Sequence, residues 1–261
     1  MKNIFIEGLQ GMGKSTLLEK LSEKYPVYQV YREGDYCPVE LAWCSYLAEK
    51  EYYHILDKFA SIKEEIIKWT VKEAGNYIVM YTRIITDEPG FHKYMEQYEI
   101  YNGRKSMAEF EKIILKRYRN FPQSDNIFEC ALFQNIVEDM ILFHQASDNQ
   151  ISQFYKKVYN ILKDKEFTIL YLYEENVEEI ITHICNERSD EAGNRLWYQL
   201  MLKYVEESPY GKTNHLKGFK GLLEHLKHRQ QLELKIIEET FKAHAIVLPA
   251  KKYSTEEINI R

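Results

Sequence analysis

The chain has 261 residues, 45% of them hydrophobic, which is enough apolar material for one large domain or two small ones. Its formal net charge of −5 gives no global basic field, so we expect neither a nucleic acid nor a membrane surface as a partner. No apolar run approaches the length of about 18 residues that a transmembrane helix needs, and the apolar N-terminal stretch is too short for a signal peptide. The cysteines lack C-x-x-C spacing, so we expect reduced, mostly buried thiols and a cytoplasmic location.

The first predicted elements are a strand, a glycine-rich loop and a helix. Residues 3–7 form an apolar run of strand length, and leucines recur on one face of a helical stretch from Thr16 onward. Between them the sequence matches G-x-x-x-x-G-K-S/T, the phosphate-binding P-loop motif. A chance glycine turn is the alternative, and the flanking strand and helix disfavour it. The predicted nucleotide-binding residues are Gly8, Gly11, Met12, Gly13, Lys14, Ser15 and Thr16.

This loop has the chemistry of a site for the phosphates of ATP together with Mg²⁺. Glycines adopt positive φ and let backbone N–H groups point at phosphate oxygens, and the helix N-terminus adds a partial positive charge there. Lys14 is expected to reach the β- and γ-phosphates, and the Ser15 hydroxyl is expected to bind Mg²⁺. The motif therefore predicts ATP and Mg²⁺ as cofactors, without saying what is done to the nucleotide.

The second predicted strand, residues 27–32, is followed by two carboxylates, Glu33 and Asp35. An acid at the carboxyl end of a parallel strand faces the crevice where ligands bind. One of the two, with Glu33 ahead, is predicted to take the proton from a hydroxyl acceptor, while Asp35 could hold a substrate hydroxyl. The alternative is a solvated acidic loop.

A long helix is predicted over residues 39–74, with Gly75 as its C-cap. Residues 77–86 have strand propensity but could also extend a helix, and Ser106 with Glu109 forms a capping box for a further helix. A monophosphate acceptor would need one or two arginines from this part of the chain, whereas each arginine alone fits a surface charge. These arginines are Arg83, Arg104, Arg117 and Arg119.

A short buried strand, residues 126–129, ends at Glu129. A carboxylate at that end of the strand is predicted to lie near the phosphate loop, where it could hold Mg²⁺ through water or pair with a substrate cation. The alternative is a buried glutamate satisfied by the N-terminus of a helix.

The C-terminal half alternates predicted helices with strands, and strands that are apolar throughout predict a parallel sheet covered on both faces, in an α/β fold. On the last helix, His225 and His228 have a spacing that can share a metal, but no further ligand completes the set and a solvated face is predicted. Helices are predicted over 133–145, 151–163, 177–187 after a cap at Asn176, 196–205 and 218–242, and strands over 167–173 and 244–248.

The opening stretch FIEGLQGMGKST resembles the start of thymidylate kinases and deoxynucleoside kinases. In those kinases the second strand also ends in a carboxylate, here within VYREGD, and the third ends in an acid followed by an Arg-Ser pair. This chain has Glu129 in the place of that acid, with Cys130 and Ala131 where Arg and Ser would stand, which disfavours a standard nucleoside pocket. The resemblance implies a P-loop NTPase fold with a five-stranded parallel sheet, and transfer from ATP to a hydroxyl or a phosphate.

In those kinases an arginine-bearing lid follows the fourth strand and its helix, and the corresponding stretch here supplies Arg188 and Arg195. A lid that closes over ATP neutralises charge on the transferred phosphoryl group. Exposed arginines at helix ends are the alternative. We expect a single P-loop kinase-like domain with a helical substrate-binding insert at about 39–125 and a lid at about 186–217.

The sequence favours an ATP-dependent kinase that transfers the γ-phosphoryl group of Mg·ATP to a hydroxyl of a nucleoside-like or other small acceptor. A nucleoside monophosphate kinase and a regulatory ATPase or switch without an acceptor are the alternatives. The sequence lacks the Asn-Lys-x-Asp stretch that binds guanine, and the arginine-bearing lid with the large insert favours a kinase. A small-molecule acceptor is the expected partner, and the oligomeric state stays open, with a homodimer as one option.

Overall fold

The computed structural model describes residues 2–121, 125–189, 195–254 and 258 of the chain. The chain divides into two compact units. The sheet unit consists of Met1–Val30 with Pro122–Arg261, and the inserted unit is the contiguous stretch Tyr31–Phe121. The predicted substrate-binding role of residues 39–125 stays a prediction. Among the described residues, no helix combines the length and the apolar character needed to cross a membrane.

The bounds of the regular elements are as follows. The described strands are β1 (Asn3–Gly8), β2 (Gln29–Tyr31), β3 (Ser45–Ala48), β4 (Thr70–Glu73), β5 (Asn76–Val79), β6 (Asn126–Glu129), β7 (Phe167–Tyr173) and β8 (Ala245–Pro249). The described α-helices are α1 (Lys14–Lys24), α2 (Glu49–Lys58), α3 (Lys63–Lys68), α4 (Phe91–Glu96), α5 (Met107–Asn120), α6 (Gln134–Leu142), α7 (Asp148–Leu162), α8 (Val177–Glu187), α9 (Leu196–Glu207), α10 (Pro209–Thr213) and α11 (Gly218–Ile236).

The sheet unit is built on a five-stranded parallel sheet with the strand order β2-β6-β1-β7-β8. β1 lies at the centre and pairs in parallel with β6 and β7, and β7 pairs in parallel with β8. All of β1 and β6 is buried, as expected for strands that read as unbroken apolar runs in a sheet flanked by helices. The α/β prediction is confirmed. The glycine loop joins β1 to α1, which is the strand–loop–helix order of the P-loop NTPase fold.

Local capping signals place helices correctly in both units. Ser106 accepts a hydrogen bond from the N–H of Glu109 at the start of α5, and Asn176 accepts one from the N–H of Glu179 at the start of α8. These side chains satisfy N–H groups that have no partner within the helix, which is why the pattern marks a helix start. α11 ends earlier than predicted and continues as a π-helical turn over Ile237–Phe241.

In the inserted unit the predicted helix over residues 39–74 is wrong. The stretch contains β3, α2, α3 and β4, and an antiparallel sheet forms in the order β3-β5-β4. β4 and β5 are joined by a two-residue turn at Ala74 and Gly75, whose φ angles are 47° and 85°. Two successive positive φ angles are the mark of the type I′ turn, which matches the twist of a hairpin. Gly75 is therefore a hairpin glycine and not a helix C-cap.

The inserted unit has its own apolar core, which is rich in aromatic side chains. Tyr52 of α2 stacks on Tyr77 of β5 with ring centroids 4.1 Å apart, and Phe59 packs edge-on against Phe91. β-Branched and aromatic residues pack well on the pleated surface of a sheet. β4 therefore forms within the stretch predicted as a helix, and β5 forms where strand and helix were both open. All residues of this core belong to the inserted unit.

Candidate nucleotide-binding site

The glycine loop between β1 and α1 packs closely against its own protein at two of its glycines. A Cβ atom at Gly8 would lie 2.5 Å from the carbonyl oxygen of Leu172 in β7, so the backbone would have to move. A Cβ atom at Gly11 would lie 3.2 Å from side-chain atoms of Ile180 and Ile184 in α8. Packing therefore excludes a side chain at Gly8, and at Gly11 a side chain would have to displace Ile180 and Ile184 by a few tenths of an ångström.

Gly13 is required for a different reason, because it is the N-cap of α1 in the left-handed conformation, with φ 89° and ψ 26°. Among described atoms, an added Cβ would meet Cγ of Lys251 at 3.8 Å, which is ordinary contact. The first turn of α1, all of it described, holds no acidic residue, and Gly13 has no side chain to cap it. Its N–H groups thus suit a phosphate. Met12 is buried within the loop, and Thr16 is exposed on the first turn.

Lys14, the first residue of α1, folds back over the glycine loop. Its side chain is buried, and Nζ donates to the carbonyl oxygens of Gly8 at 2.9 Å and Leu9 at 2.7 Å. These bonds account for two of the three donors of an ammonium group and fix its position over the loop. The third donor suits a phosphate oxygen.

Ser15 and Glu129, the two predicted Mg²⁺ ligands, are in contact although 114 residues separate them. The Ser15 hydroxyl donates to Oε1 of Glu129 at 2.5 Å, because β6 pairs with β1 and places Glu129 opposite Ile6. Hard oxygen donors suit Mg²⁺, which usually takes one or two carboxylates and completes its shell with phosphates and water. Among the described residues, no group of three or more His, Cys, Asp or Glu could hold a metal. The two oxygen donors, the Ser15 hydroxyl and the Glu129 carboxylate, fit Mg²⁺ that arrives with a nucleotide.

Glu7, which sequence reasoning did not single out, is a buried acid that meets the N-terminus of a helix. Its oxygens accept hydrogen bonds from the backbone N–H groups of Leu132 at 2.7 Å, Phe133 at 3.1 Å and Gln134 at 3.3 Å, where α6 begins. Burial raises the pKa of Glu7 to about 7 and the nearby Glu233 adds to the rise, while the amides oppose it. An acid inside an apolar strand was the signal that could have found it.

A network of buried charges lies beside the loop. Arg229 of α11 is fully buried, pairs with Glu138 of α6, and lies with its Nε 3.2 Å from Oε1 of Glu233. Its Nη2 also donates to Oε1 of Gln10, in the glycine loop, at 2.9 Å. His225 is buried as well, with Nε2 3.3 Å from Oε1 of Glu138. The predicted solvated face at His225 is therefore wrong, because α6, α8 and α9 pack against α11.

Burial and the neighbouring charges shift the pKa values of the residues in this network. Burial opposes ionisation of Glu138, but Arg229 and His225 outweigh it and lower the pKa of Glu138 to about 2. Burial likewise works against the charge on Arg229, yet Glu138 and Glu233 raise the pKa of this guanidinium above its ordinary value. For Glu233 burial prevails and raises the pKa, although Arg229 opposes the rise. Glu138 and Arg229 thus form a charged pair inside the protein.

Glu33 and Asp35 both belong to the inserted unit. Asp35 forms an ion pair with Arg83, and the side chains are 39% and 42% exposed, respectively. Glu33 lies near Glu40, a buried carboxyl that accepts a hydrogen bond from the N–H of Ala42 at 2.6 Å. Burial raises the pKa of Glu40 to about 7, and the charge of Glu33 contributes to the rise. No local sequence pattern singles out Glu40.

Besides Arg83, two more of the arginines expected on the surface of the insert pair with carboxylates. Arg117 is buried, donates to Glu73 at 2.7 Å and also donates to the carbonyl oxygen of Cys37. The prediction of a surface charge is wrong for Arg117, because its side of α5 faces the interior and β4 supplies the partner. Arg104 forms an ion pair with Glu96.

The two arginines of the predicted lid lie at the facing ends of successive helices. Arg188 follows α8 and lies over the ring of Trp197, with 5.0 Å between its Cζ and the ring centroid. Arg195 precedes α9 and donates to Oδ1 of Asn186 at 2.9 Å. Both are exposed, and residues 190–194 between them are outside the described residues. The lid at 186–217 stays a prediction.

No protein-family model and no curated protein matches this chain. Among solved structures, the chain is similar to deoxyadenosine kinase from M. mycoides with bound dATP. The sequence identity is 14% and the TM-score is 0.38, over 96% of this chain and 92% of that chain. The functional assignment therefore has to come from the residues of the site itself.

We expect the two ends of the glycine loop to respond differently to alanine. Gly8→Ala should lower the free energy of unfolding by about 3 kcal/mol, because the new methyl group meets the backbone of β7. Gly13→Ala should cost about 1 kcal/mol, because the site has space and the loss comes from positive φ alone. Urea unfolding of both variants measures this difference. Equal losses would contradict the packing role of Gly8.

A second prediction concerns Glu7, whose pKa rises from 4.5 in the unfolded chain to about 7 in the fold. Its contribution to stability is therefore fully present below about pH 4.5 and is lost as the pH rises through about 7. Relative to Glu7→Gln, the wild-type protein should lose on the order of 3 kcal/mol of unfolding free energy between these limits.

Urea unfolding of wild type and Glu7→Gln at a series of pH values gives this difference. Glu19→Gln, at an exposed position on α1, is the matched control and should leave the pH profile unchanged. A wild-type-minus-variant difference that is flat with pH means that Glu7 does not titrate in the fold.

Proposed function

We propose that this protein is an ATP-dependent phosphotransferase that moves the γ-phosphoryl group of Mg·ATP to a hydroxyl of a small acceptor. The observation that carries the proposal is the hydrogen bond between Ser15 and Glu129, next to Lys14 in the chain. It brings two oxygen ligands for Mg²⁺ to the N-terminus of α1, beside the ammonium that would bind the phosphates. Loop, lysine and metal ligands are the parts that a phosphoryl-transfer site combines.

Each residue of this site has a defined part in the proposal. Mg²⁺, when bound, would neutralise negative charge on the phosphates of the nucleotide. Ser15 and Glu129 would hold it, with Glu129 acting directly or through water. Lys14 stabilises the charge that develops on the phosphate oxygens, and the N–H groups after Gly13 complete the cradle.

On the acceptor side, Glu33 is the proposed base and Asp35 the proposed holder of a second acceptor hydroxyl. The ion pair between Asp35 and Arg83 supports this division. A carboxylate oxygen engaged by a guanidinium is less available to accept a proton, but the pair is well placed to orient a hydroxyl.

A hydroxyl acceptor is preferred to a monophosphate acceptor. A phosphate on the acceptor would need arginines that are available to bind it. Of the arginines considered for that role, three already have carboxylate partners in the inserted unit. These are the pairs Arg83–Asp35, Arg104–Glu96 and Arg117–Glu73. Arg188 and Arg195 are proposed to close over the nucleotide, which their exposure permits.

The proposal is tested by the transfer of γ-labelled phosphate from Mg·ATP to a panel of nucleosides, nucleoside monophosphates, sugars and aminoglycosides, with water as the control acceptor. Lys14→Met should reduce transfer by about 10²-fold or more, because the charge on the β- and γ-phosphates loses its counter-charge. Lys20→Met, at an exposed position of the same helix, is the control and should transfer at the wild-type rate. Label that passes only to water would instead support a regulatory ATPase.

With the acceptor identified, Glu33→Gln should lower kcat by about 10²- to 10⁴-fold, the usual range for a positioned acid or base. Its affinity for ATP should stay within a few fold of wild type. Asp35→Asn should act mainly on the KM for the acceptor. Steady-state rates and calorimetry measure these quantities, and Glu23→Gln on the exposed side of α1 is the control. Wild-type turnover by both variants of the acidic loop would mean that this loop is merely solvated.

A further inference from the structure

The guanidinium of Arg229 joins three parts of the sheet unit at one buried point. It pairs with Glu138 of α6, contacts Glu233 one turn along α11, and donates to Gln10 of the glycine loop. Glu233 is held in turn by the Tyr171 hydroxyl of β7, which donates to its Oε2 at 2.7 Å. A planar fork with fixed donor directions suits this arrangement, since each edge can serve a different partner.

Gln10 is the point at which this network reaches the loop. It lies between Gly8 and Gly11, is half-buried, and accepts the hydrogen bond from Nη2 of Arg229 at 2.9 Å, across 219 residues of sequence. Glycine backbones are conformationally permissive, and ordering them costs more entropy than ordering other residues. The anchored side chain of Gln10 therefore limits the backbone conformations of the loop, which the neighbouring glycines leave open.

We infer that Arg229 is a positioning residue that acts through Gln10, holding the glycine loop in the conformation that receives the phosphates of the nucleotide. The inference rests on the proposed function, because it assigns a role in nucleotide binding. A loop that is already ordered spends less of the binding free energy on ordering when the ligand arrives. The ion pair with Glu138 and the approach of Glu233 to Nε restrict the position of the Arg229 guanidinium.

A purely structural role is the rival explanation, and Arg229 alone cannot decide between the two. Removing its charge would leave Glu138 and Glu233 buried without their counter-ion, so Arg229→Met is expected to destabilise the fold. Gln10 is the sharper position, because Gln10→Met removes the acceptor in the loop and leaves the buried ion pairs intact. Arg229→Lys keeps the charge but lacks the fork that serves all three partners.

The experiment measures the affinity for Mg·ADP by calorimetry, together with the melting temperature. Gln10→Met should weaken Mg·ADP binding by about tenfold, because the binding free energy must then also order the loop, while the melting temperature falls no further than it does in the control variant. Gln230→Met is the matched control. Gln230 is a buried amide next to Arg229 on α11, and it donates to the carbonyl oxygen of Glu174 at 3.0 Å instead of to the loop. Its variant should bind Mg·ADP like wild type.

A double-mutant cycle completes the test. Arg229→Lys should also weaken Mg·ADP binding, and the double variant with Gln10→Met should bind no more weakly than the weaker single variant, because both act through one contact. Wild-type affinity in Gln10→Met, or losses that add in the double variant, would overturn the positioning role while the proposed function stands. No binding of Mg·ADP or Mg·ATP by the wild-type protein would overturn the proposed function and this role together.

Discussion

A buried carboxylate at the carboxyl end of β1 fixes how the chain leaves the central strand. Glu7 accepts hydrogen bonds from the N–H groups of Leu132 and Phe133, immediately before α6, and the next residue, Gly8, brings its backbone so close to Leu172 that no side chain fits. The strand end is thereby tied to the elements on both of its sides. Ser15 can meet Glu129 only because β1 and β6 end in register next to this anchor. The position of the glycine loop is therefore set by contacts at the ends of the sheet strands.

The same end of the sheet unit holds an unusual amount of buried charge. Glu7, Glu138 and Glu233 lie within the fold, with Arg229 and Lys14 as neighbouring cations. Such groups are costly to bury unless they are paired, and a well-packed apolar core would often be at least as stable. These polar contacts depend on geometry, because each hydrogen bond and ion pair forms in only one arrangement of α6, α11 and the loop. The sheet unit thus combines an apolar sheet with a polar layer that orients the loop.

The features that sequence predicts here are local or follow from strand order. The P-loop motif, the apolar strands and the caps at Ser106 and Asn176 depend on neighbouring residues, and the contact of Ser15 with Glu129 follows from parallel strands ending at one edge. The hairpin around Gly75 was not predicted, because β4 lies in a stretch with a helical pattern and the β5 stretch fits a helix or a strand until packing decides. The burial of His225 depends on the helices around α11, which no local pattern encodes.

The two units differ in how they occupy the chain, and this has an evolutionary consequence. Residues 31–121 leave from β2 and return to β6, and these strands are hydrogen-bonded neighbours, with the N–H of Gln29 donating to the carbonyl oxygen of Asp125 at 2.7 Å. A stretch that starts and finishes on adjacent strands can be removed or replaced as one unit, because a short connection is enough to join the two strands. Lys14, Ser15 and Glu129 all lie outside it. Selection can therefore exchange the inserted unit without changing the residues encoded on either side of it.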